Sequence, residues 1–236
     1  MPDPTPVASS PFSDAAGDMR QMTRTGRRIE NSSFDIVNRE AWPHDFDREH
    51  WEVVRRIIHA TADFEYKHLT CFGGDAIRCG AQAFLDGAPL YVDVKMIKVG
   101  LNARRLQHFG CEVHSFVSDD DVIARAKAED STRSAVGIRK AWELGLLDGG
   151  IVAIGNAPTA LLELVRLIRE ENVRPALVVG MPVGFVNAAE SKEALIELKD
   201  IGEPVPWVIT RGRKGGSTIV VAALHAFMSI ATGDLR

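Results

Sequence analysis

Largely apolar runs alternate with amphipathic stretches along most of the chain. Strands buried on both faces of a parallel sheet read as continuous hydrophobic runs, and helices cover such sheets. The pattern therefore predicts one α/β domain, with a mainly parallel sheet of about five strands and helices on both faces. The predicted strands are PLYVDV (89–94), EVHSFV (112–117), GGIVAIGN (149–156), PALVVG (175–180) and PVPWVIT (204–210).

Helix boundaries are predicted from residues that favour helix ends. Asp47, Asp75 and Thr132 each precede an amphipathic stretch, as N-cap residues do. Gly110 follows a short helical stretch and is typical of a helix stop. Pro158 suits the first turn of the helix that follows GGIVAIGN. These signals agree with a chain in which strands and helices alternate.

The N-terminal 28 residues have a different composition from the rest. They are rich in Pro, Ser, Thr and Gly and show no sustained period. Such a composition predicts a flexible N-terminal arm over residues 1–28. The α/β domain is then predicted over residues 29–236, with the fold beginning near IENSSFDIV.

Charge and cysteine usage exclude several classes of partner. The formal net charge of −4 disfavours general nucleic-acid binding. Cys71, Cys79 and Cys111 are odd in number and lack metal-ligand spacing, which predicts no metal site and a reducing, cytoplasmic location. The longest apolar run, STIVVAALHAFMSIA, is shorter than the roughly 20 residues that span a membrane. We therefore expect no membrane partner.

Four segments connect a predicted strand to a predicted helix: DVKMIKVGLN, GNAPTA, GMPVGFVNAAES and TRGRKGGST. Ligands of parallel α/β folds bind at the carboxyl ends of the strands, where helix N-termini favour anions. Arg211, Arg213 and Lys214 lie together on one of these segments, which favours a polyanionic ligand. Any one segment taken singly is more simply explained as ordinary turn chemistry.

Common catalytic and nucleotide-binding motifs are missing from the sequence. GRKGGST does not match GxxxxGK[ST], and we find neither a GxGxxG after a strand nor GxSxG or HExxH. Asp119, Asp120 and Asp121 are more typical of a helix start than of a metal site. The residue patterns therefore indicate anion binding without identifying the anion.

Two polar side chains have both a structural and a functional interpretation. His59 lies beside an apolar stripe in RRIIHATADFEY. It is interpreted either as a core histidine or as a proton donor that faces a pocket. Asp63, at i+4, is predicted to hold one of its ring nitrogens if the helix continues. Arg133 follows a predicted helix cap. It is either an ordinary surface arginine or an arginine whose guanidinium binds a carboxylate through two hydrogen bonds. Patterns alone leave both residues undecided.

Seven segments together resemble the precorrin-8X methylmutase family, also called precorrin isomerase, with its cobalt-precorrin-8 counterpart. They are SFDIV, RIIHATADFEY, DVKMIKVG, STRSAVG, GNAPTALLELV, GMPVGFVNAAESKEAL and RGRKGGS, in the order found in the family. The resemblance runs from Ser33 to Ser217 and leaves out the N-terminal arm. Asn187 stands where the family usually has glycine, which a helix start tolerates.

The resemblance implies an isomerase of cobalamin biosynthesis. The reaction moves a methyl group from C-11 to C-12 of precorrin-8X or cobalt-precorrin-8, giving hydrogenobyrinic acid or cobyrinic acid. The family's acid aligns with His59, and its substrate-contacting serine with Ser33. A ring that rearranges its own bonds requires a proton donor but no redox cofactor, so we expect no cofactor.

The expected partner is a corrinoid tetrapyrrole with acidic side chains on its rim. The candidate substrate-binding residues are Ser33, Arg133, Asn156, Thr159, Arg211 and Arg213. The family also suggests a homodimer. The alternative hypothesis is a non-catalytic corrinoid carrier, which needs the rim-binding residues but not His59. A third hypothesis, an unrelated phosphate-binding α/β enzyme, is disfavoured because the nucleotide-binding motifs are missing.

Overall fold

The computed structural model describes residues 23–200 and 205–235, and their strands form a single twisted sheet. The strand order is β1-β6-β5-β4-β2-β3, and every neighbouring pair is parallel except β1 with β6. The strands are β1 Thr70–Gly73, β2 Leu90–Val92, β3 Val113–His114, β4 Ile151–Ile154, β5 Leu177–Gly180 and β6 Trp207–Thr210.

Helices occupy most of the remaining described chain. They are α1 Arg24–Ala41, α2 Arg48–Thr61, α3 Tyr66–Leu69, α4 Ala76–Leu85, α5 Lys95–Gly100, α6 Ala103–Phe109, α7 Asp120–Ala128, α8 Arg133–Glu143, α9 Pro158–Glu170, α10 Ala188–Ile196 and α11 Ser217–Ala231. A 3₁₀ turn at Glu197–Asp200 follows α10. Among the described residues, none of these helices is both long and apolar enough to cross a membrane.

The two faces of the sheet bury separate hydrophobic clusters. In β4, Ala153 packs into the cluster formed with α2, α4 and α11, whereas Val152 and Ile154 pack into the cluster formed with α8, α9 and α10. Every residue of β4 and β5 is buried. Strands covered in this way must be apolar throughout, so the prediction of a mainly parallel sheet with helices on both faces is confirmed.

The sheet has one strand more than the hydrophobic pattern predicted. The additional strand is β1, at one edge of the sheet. Its sequence, TCFG, is only four residues long and pairs antiparallel with β6 in the register Thr70 to Thr210. An edge strand is buried less than a central one, and Cys71, Phe72 and Gly73 are only half-buried. The short run therefore lacks the continuous apolar signal of the central strands.

Several predicted helix ends are confirmed. The Asp47 carboxylate accepts hydrogen bonds from the N–H groups of Glu49 and His50. The Thr132 hydroxyl accepts from the N–H of Ala135 at the start of α8, and Gly110 ends α6 with a left-handed backbone, φ 72°. Helix α8, which Thr132 caps, ends at Glu143.

Helix α1 begins at Arg24, inside the segment predicted as a flexible arm. The Thr23 hydroxyl accepts a hydrogen bond from the N–H of Gly26 and caps the helix. The predicted boundary at residue 28 therefore falls within a helix rather than before it. Residues 1–22 lie outside the described residues, so the arm stays a prediction there.

Candidate active site

The candidate site lies at the edge of the sheet where the parallel strands end. Because β4, β5 and β6 are neighbours, the loops that follow them lie side by side. These loops are residues 155–157, 181–187 and 211–216, three of the four segments predicted from glycine content. The fourth, after β2, folds mainly into α5.

A buried carboxylate fixes the loop that follows β4. Asp93, at the end of β2 and 0% exposed, accepts hydrogen bonds from three successive N–H groups of Gly155, Asn156 and Ala157, at 3.0, 2.9 and 2.8 Å. Burial raises the pKa of Asp93, and the three donors act in the opposite direction. The expectation that these amides hold a ligand anion is therefore wrong, because Asp93 already accepts from them.

Candidate side chains from α8 and α9 lie together beside this loop. The hydroxyls of Thr132 and Thr159 are hydrogen-bonded at 2.8 Å, which joins the starts of the two helices. Arg133 is the first residue of α8 and is exposed, as is Asn156. The structure thus brings Arg133, Asn156 and Thr159 to one end of the α8–α9 pair.

The loop at residues 211–216 carries the two other candidate arginines. Arg211 and Arg213 are both exposed, and the Arg213 guanidinium lies 5.7 Å from the centre of the Phe185 ring. Phe185 belongs to the loop after β5 and is 84% exposed. The Gly184 N–H donates to the carbonyl of Arg213 at 3.2 Å. Cationic and apolar groups therefore lie next to one another on this surface.

His59 lies in the last turn of α2 and lines a cavity of about 220 Å³. Its ring stacks on Phe34 of α1, with centroids 4.5 Å apart and an interplanar angle of 17°. The cavity is lined by Glu30, Phe34, Arg56, His59, Ala60, Thr218, Val221, Ala222 and His225. His59 is exposed, so the structure favours the pocket-facing interpretation over a core histidine.

The predicted pairing of His59 with Asp63 is wrong. Helix α2 ends at Thr61, and Ala62 adopts a left-handed backbone with φ 54°, so Asp63 does not continue the helical face. The Asp63 carboxylate instead accepts from the Lys214 ammonium at 2.5 Å and from the N–H of Glu65 at 2.9 Å. Asp63 thus connects the end of α2 to the 211–216 loop.

A second histidine lines the same cavity. His225 of α11 is within hydrogen-bond distance of the carbonyl of Gly100, 3.3 Å from its Nε2. Burial, together with the positive charges of Arg105 and Arg56, lowers the pKa of His225 to about 4, although the Gly100 hydrogen bond acts in the opposite direction. His225 is therefore uncharged near neutral pH and has no acidic imidazolium proton to give.

The first turn of α11 connects the cavity to the strand-end loops. Thr218 lines the cavity, and its neighbour Ser217 lies against Gly155, where an added Cβ would come within 3.0 Å of the Ser217 Cα. A side chain at residue 155 would crowd Ser217, and glycine avoids this. Ser33, on the same helix as Phe34 and one turn from Glu30, is half-buried beside the cavity rather than in its lining.

The sequence patterns did not identify three residues at the site: Asp93, His225 and Lys192, whose ammonium donates to two carbonyls of the loop at residues 211–216. A lone acid in an apolar strand was a signal for Asp93, because a buried carboxylate needs donors. His225 interrupts the apolar run of α11, which is its only signal in the sequence. Lys192 stands among polar residues in AAESKEAL, and no local pattern distinguishes it from a surface lysine.

The fold and the site together define an α/β protein with exposed arginines at the carboxyl edge of a mainly parallel sheet and an imidazole at a nearby cavity. Residues 28–230 match the precorrin-8X methylmutase family. The chain is 54% identical to the cobalt-precorrin-8 methylmutase of Leptospira interrogans over 91% of this chain and 98% of that protein. It is 40% identical to the precorrin-8X methylmutase of a Sinorhizobium species, over 86% and 94% of the two chains.

A solved structure supports the same relationship. The crystal structure of precorrin-8X methylmutase from Thermus thermophilus superposes with a TM-score of 0.81 at 55% identity, covering 88% of this chain and 97% of that one. The chain belongs to the precorrin-8X methylmutase family. It is accordingly an isomerase of cobalamin biosynthesis that performs an intramolecular methyl shift.

Proposed function

We propose that this enzyme moves a methyl group from C-11 to C-12 of precorrin-8X or cobalt-precorrin-8, with His59 as the acid that assists the shift. The observation that carries the proposal is the position of His59, exposed at a cavity that the first turn of α11 connects to the strand-end loops. The relatives at high identity are named for these two substrates.

The chemical step requires a proton near a ring nitrogen. Protonation there withdraws electron density as the methyl group migrates, and a histidine titrates in the range needed to give and regain the proton. Two imidazoles line the cavity, but His225 is uncharged at neutral pH because its pKa is lowered to about 4. The low pKa of His225 argues against it as the donor, which leaves His59 as the donor we propose. Stacking on Phe34 restricts the orientation of its ring.

Substrate binding is assigned to the surface around the cavity. A volume of about 220 Å³ is below the usual range for ligand pockets, so the cavity is expected to take one edge of the macrocycle. The remaining rim carboxylates are then held by Arg133, Arg211 and Arg213, since guanidinium forks match carboxylates. Ser33, Asn156 and Thr159 supply polar contacts.

We also propose that the enzyme is a cytoplasmic homodimer, as the resemblance to the family suggests. Free thiols at Cys71, Cys79 and Cys111 agree with a reducing compartment. Sedimentation equilibrium on the full chain tests the assembly. A mass of one chain at micromolar concentration would contradict the dimer.

Parallel incubation with metal-free and cobalt-containing substrate tests the function. Methyl migration changes the conjugation of the ring, so the product is read from its ultraviolet–visible spectrum and confirmed by NMR of the C-12 methyl group. We expect conversion of at least one of the two substrates, and the comparison of rates identifies the preferred one. Binding of both without conversion would overturn the proposal and favour a carrier. Heat-denatured enzyme is the control for spontaneous rearrangement.

A further inference from the structure

Lys192 of α10 lies buried beneath the loop of residues 211–216. The residue is 0% exposed, and its ammonium donates hydrogen bonds to the carbonyls of Gly212 and Lys214, both at 2.8 Å. Among the ion pairs of the described residues, no carboxylate lies within 4.0 Å of this ammonium. Lysines are almost never fully buried unless paired, so an unneutralised charge at this position calls for a reason.

The two bonded carbonyls stand on either side of Arg213. The Thr210 hydroxyl also donates to the carbonyl of Lys214, at 2.9 Å, and the Gly184 N–H donates to that of Arg213. Three successive carbonyls of the loop therefore accept hydrogen bonds from residues outside it. The backbone around Arg213 is fixed while its side chain stays exposed, as a preorganised ligand-binding group requires.

We propose that Lys192 is a positioning residue for corrinoid binding, which orients Arg213 through the loop and adds a buried positive charge beneath the rim carboxylates. The inference rests on the function proposed above and deepens it. A neutral donor would serve a purely structural loop. A charge beneath the loop, by contrast, acts on an anion through protein of low dielectric constant and is screened little by salt.

The charge state of Lys192 changes within an accessible pH range. Burial lowers the pKa of Lys192 to about 8. On the loop above it, Asp63 and Glu65 raise the pKa of Lys214, and the contact with Cys71 raises the pKa of Arg211. We therefore expect the KM for the metal-free substrate to rise between pH 7 and pH 9 in the wild-type enzyme. Because the Cys71 side chain contacts Arg211, the Cys71→Ser variant serves as the control for that contact.

The test compares Lys192→Met and Lys192→Gln with Lys127→Met, which removes one exposed lysine from α7. We expect KM to rise at least tenfold in both Lys192 variants, with kcat at saturation within about threefold of wild type, and the rise in KM with pH to disappear. Lys127→Met should match wild type in both constants.

Either of two results would overturn the proposal. One is a folded Lys192 variant that keeps the wild-type KM. The other is a wild-type KM that stays flat from pH 7 to pH 9, a measurement that remains decisive if the variants do not fold. Failure of the proposed function is distinct, because the wild-type enzyme would then convert no substrate at all.

Discussion

The cavity beside His59 and the loops at the strand ends are built in different ways. In the cavity, the exposed imidazole of His59 lies on a helix and stacks against Phe34. At the strand ends, exposed side chains sit on loops that two buried charged groups, Asp93 and Lys192, hold from inside the protein. A helix fixes the backbone beneath a side chain through its own hydrogen bonds, whereas a loop needs its backbone polar groups satisfied from elsewhere to keep one shape.

This difference separates chemistry from binding. We assign proton donation to the cavity and recognition of the substrate rim to the loops. Substitutions in the first region should therefore change the rate of the bound complex, and substitutions in the second should change affinity.

Replacing His59 should give the largest loss of rate. His59→Ala should slow single-turnover methyl migration by roughly 10²–10⁴, the usual range for a positioned proton donor. Because the side chain is exposed, the melting temperature should stay close to that of wild type. His59→Asn keeps the size of the side chain without the proton supply and should be equally slow. A destabilised but fully active His59→Ala protein would end the catalytic assignment.

Replacing the candidate rim-binding arginines should act on affinity. Arg133→Ala and Arg213→Ala should each raise KM roughly ten- to a hundredfold and leave kcat nearly unchanged, because a charged hydrogen bond to the rim is lost in ground state and transition state alike. Arg104→Ala, which removes an exposed arginine of α6, is the matched control. Equal losses in kcat and in kcat/KM would place these arginines in the chemical step instead.

The neutral state of His225 should appear in the pH dependence of stability. Its pKa is about 4 in the folded protein against an ordinary 6.5, so the unfolded chain binds an extra proton between these values. The free energy of unfolding should therefore fall as the pH drops from 6.5 towards 4. In His225→Gln, which keeps a donor for the Gly100 carbonyl, the fall should be shallower. Urea titrations at pH 4.5, 5.5 and 7 measure the free energy of unfolding of both proteins. The same fall in this free energy with pH in wild type and His225→Gln would contradict a neutral His225.

The smallest effect is expected at the contact between the two regions. Asp63→Asn removes one of the two carboxylates that bind Lys214, and Glu65 remains at 2.7 Å. Exposed ion pairs contribute little, so KM and the single-turnover rate should each change less than about threefold. A loss of rate comparable to that of His59→Ala would mean that Asp63 supports the imidazole after all, in a conformation different from the one seen here.

The parts of the fold that follow from local pattern were predictable from sequence. Continuous apolar runs located β2, β4, β5 and β6, and the caps at Asp47 and Thr132 set the starts of their helices. The edge strand β1 was missed because TCFG is short and half-buried. The pairing of His59 with Asp63 failed because one left-handed residue, Ala62, ended the helix before Asp63.

The supporting groups of the site were harder to predict than its exposed groups. The exposed arginines stand in a visible cluster, RGRKGGS, whereas Asp93 bonds a loop 62 to 64 residues away and Lys192 bonds carbonyls 20 and 22 residues away. Contacts over such separations arise from the order of strands in the sheet. A single sequence shows which residues are charged, but not which backbone groups they reach.

The hydrogen bonds between Asp93 and the N–H groups of residues 155–157 affect the expected selectivity of the enzyme among anions. With those amides occupied, the start of α9 does not offer the ready cradle that attracts phosphate and sulfate in many α/β proteins. In the proposed complex, selection falls instead on guanidinium groups, whose planar forks match the two oxygens of a carboxylate. Inorganic phosphate, plentiful in any cytoplasm, should then compete poorly against a ligand that carries several carboxylates on one rigid ring.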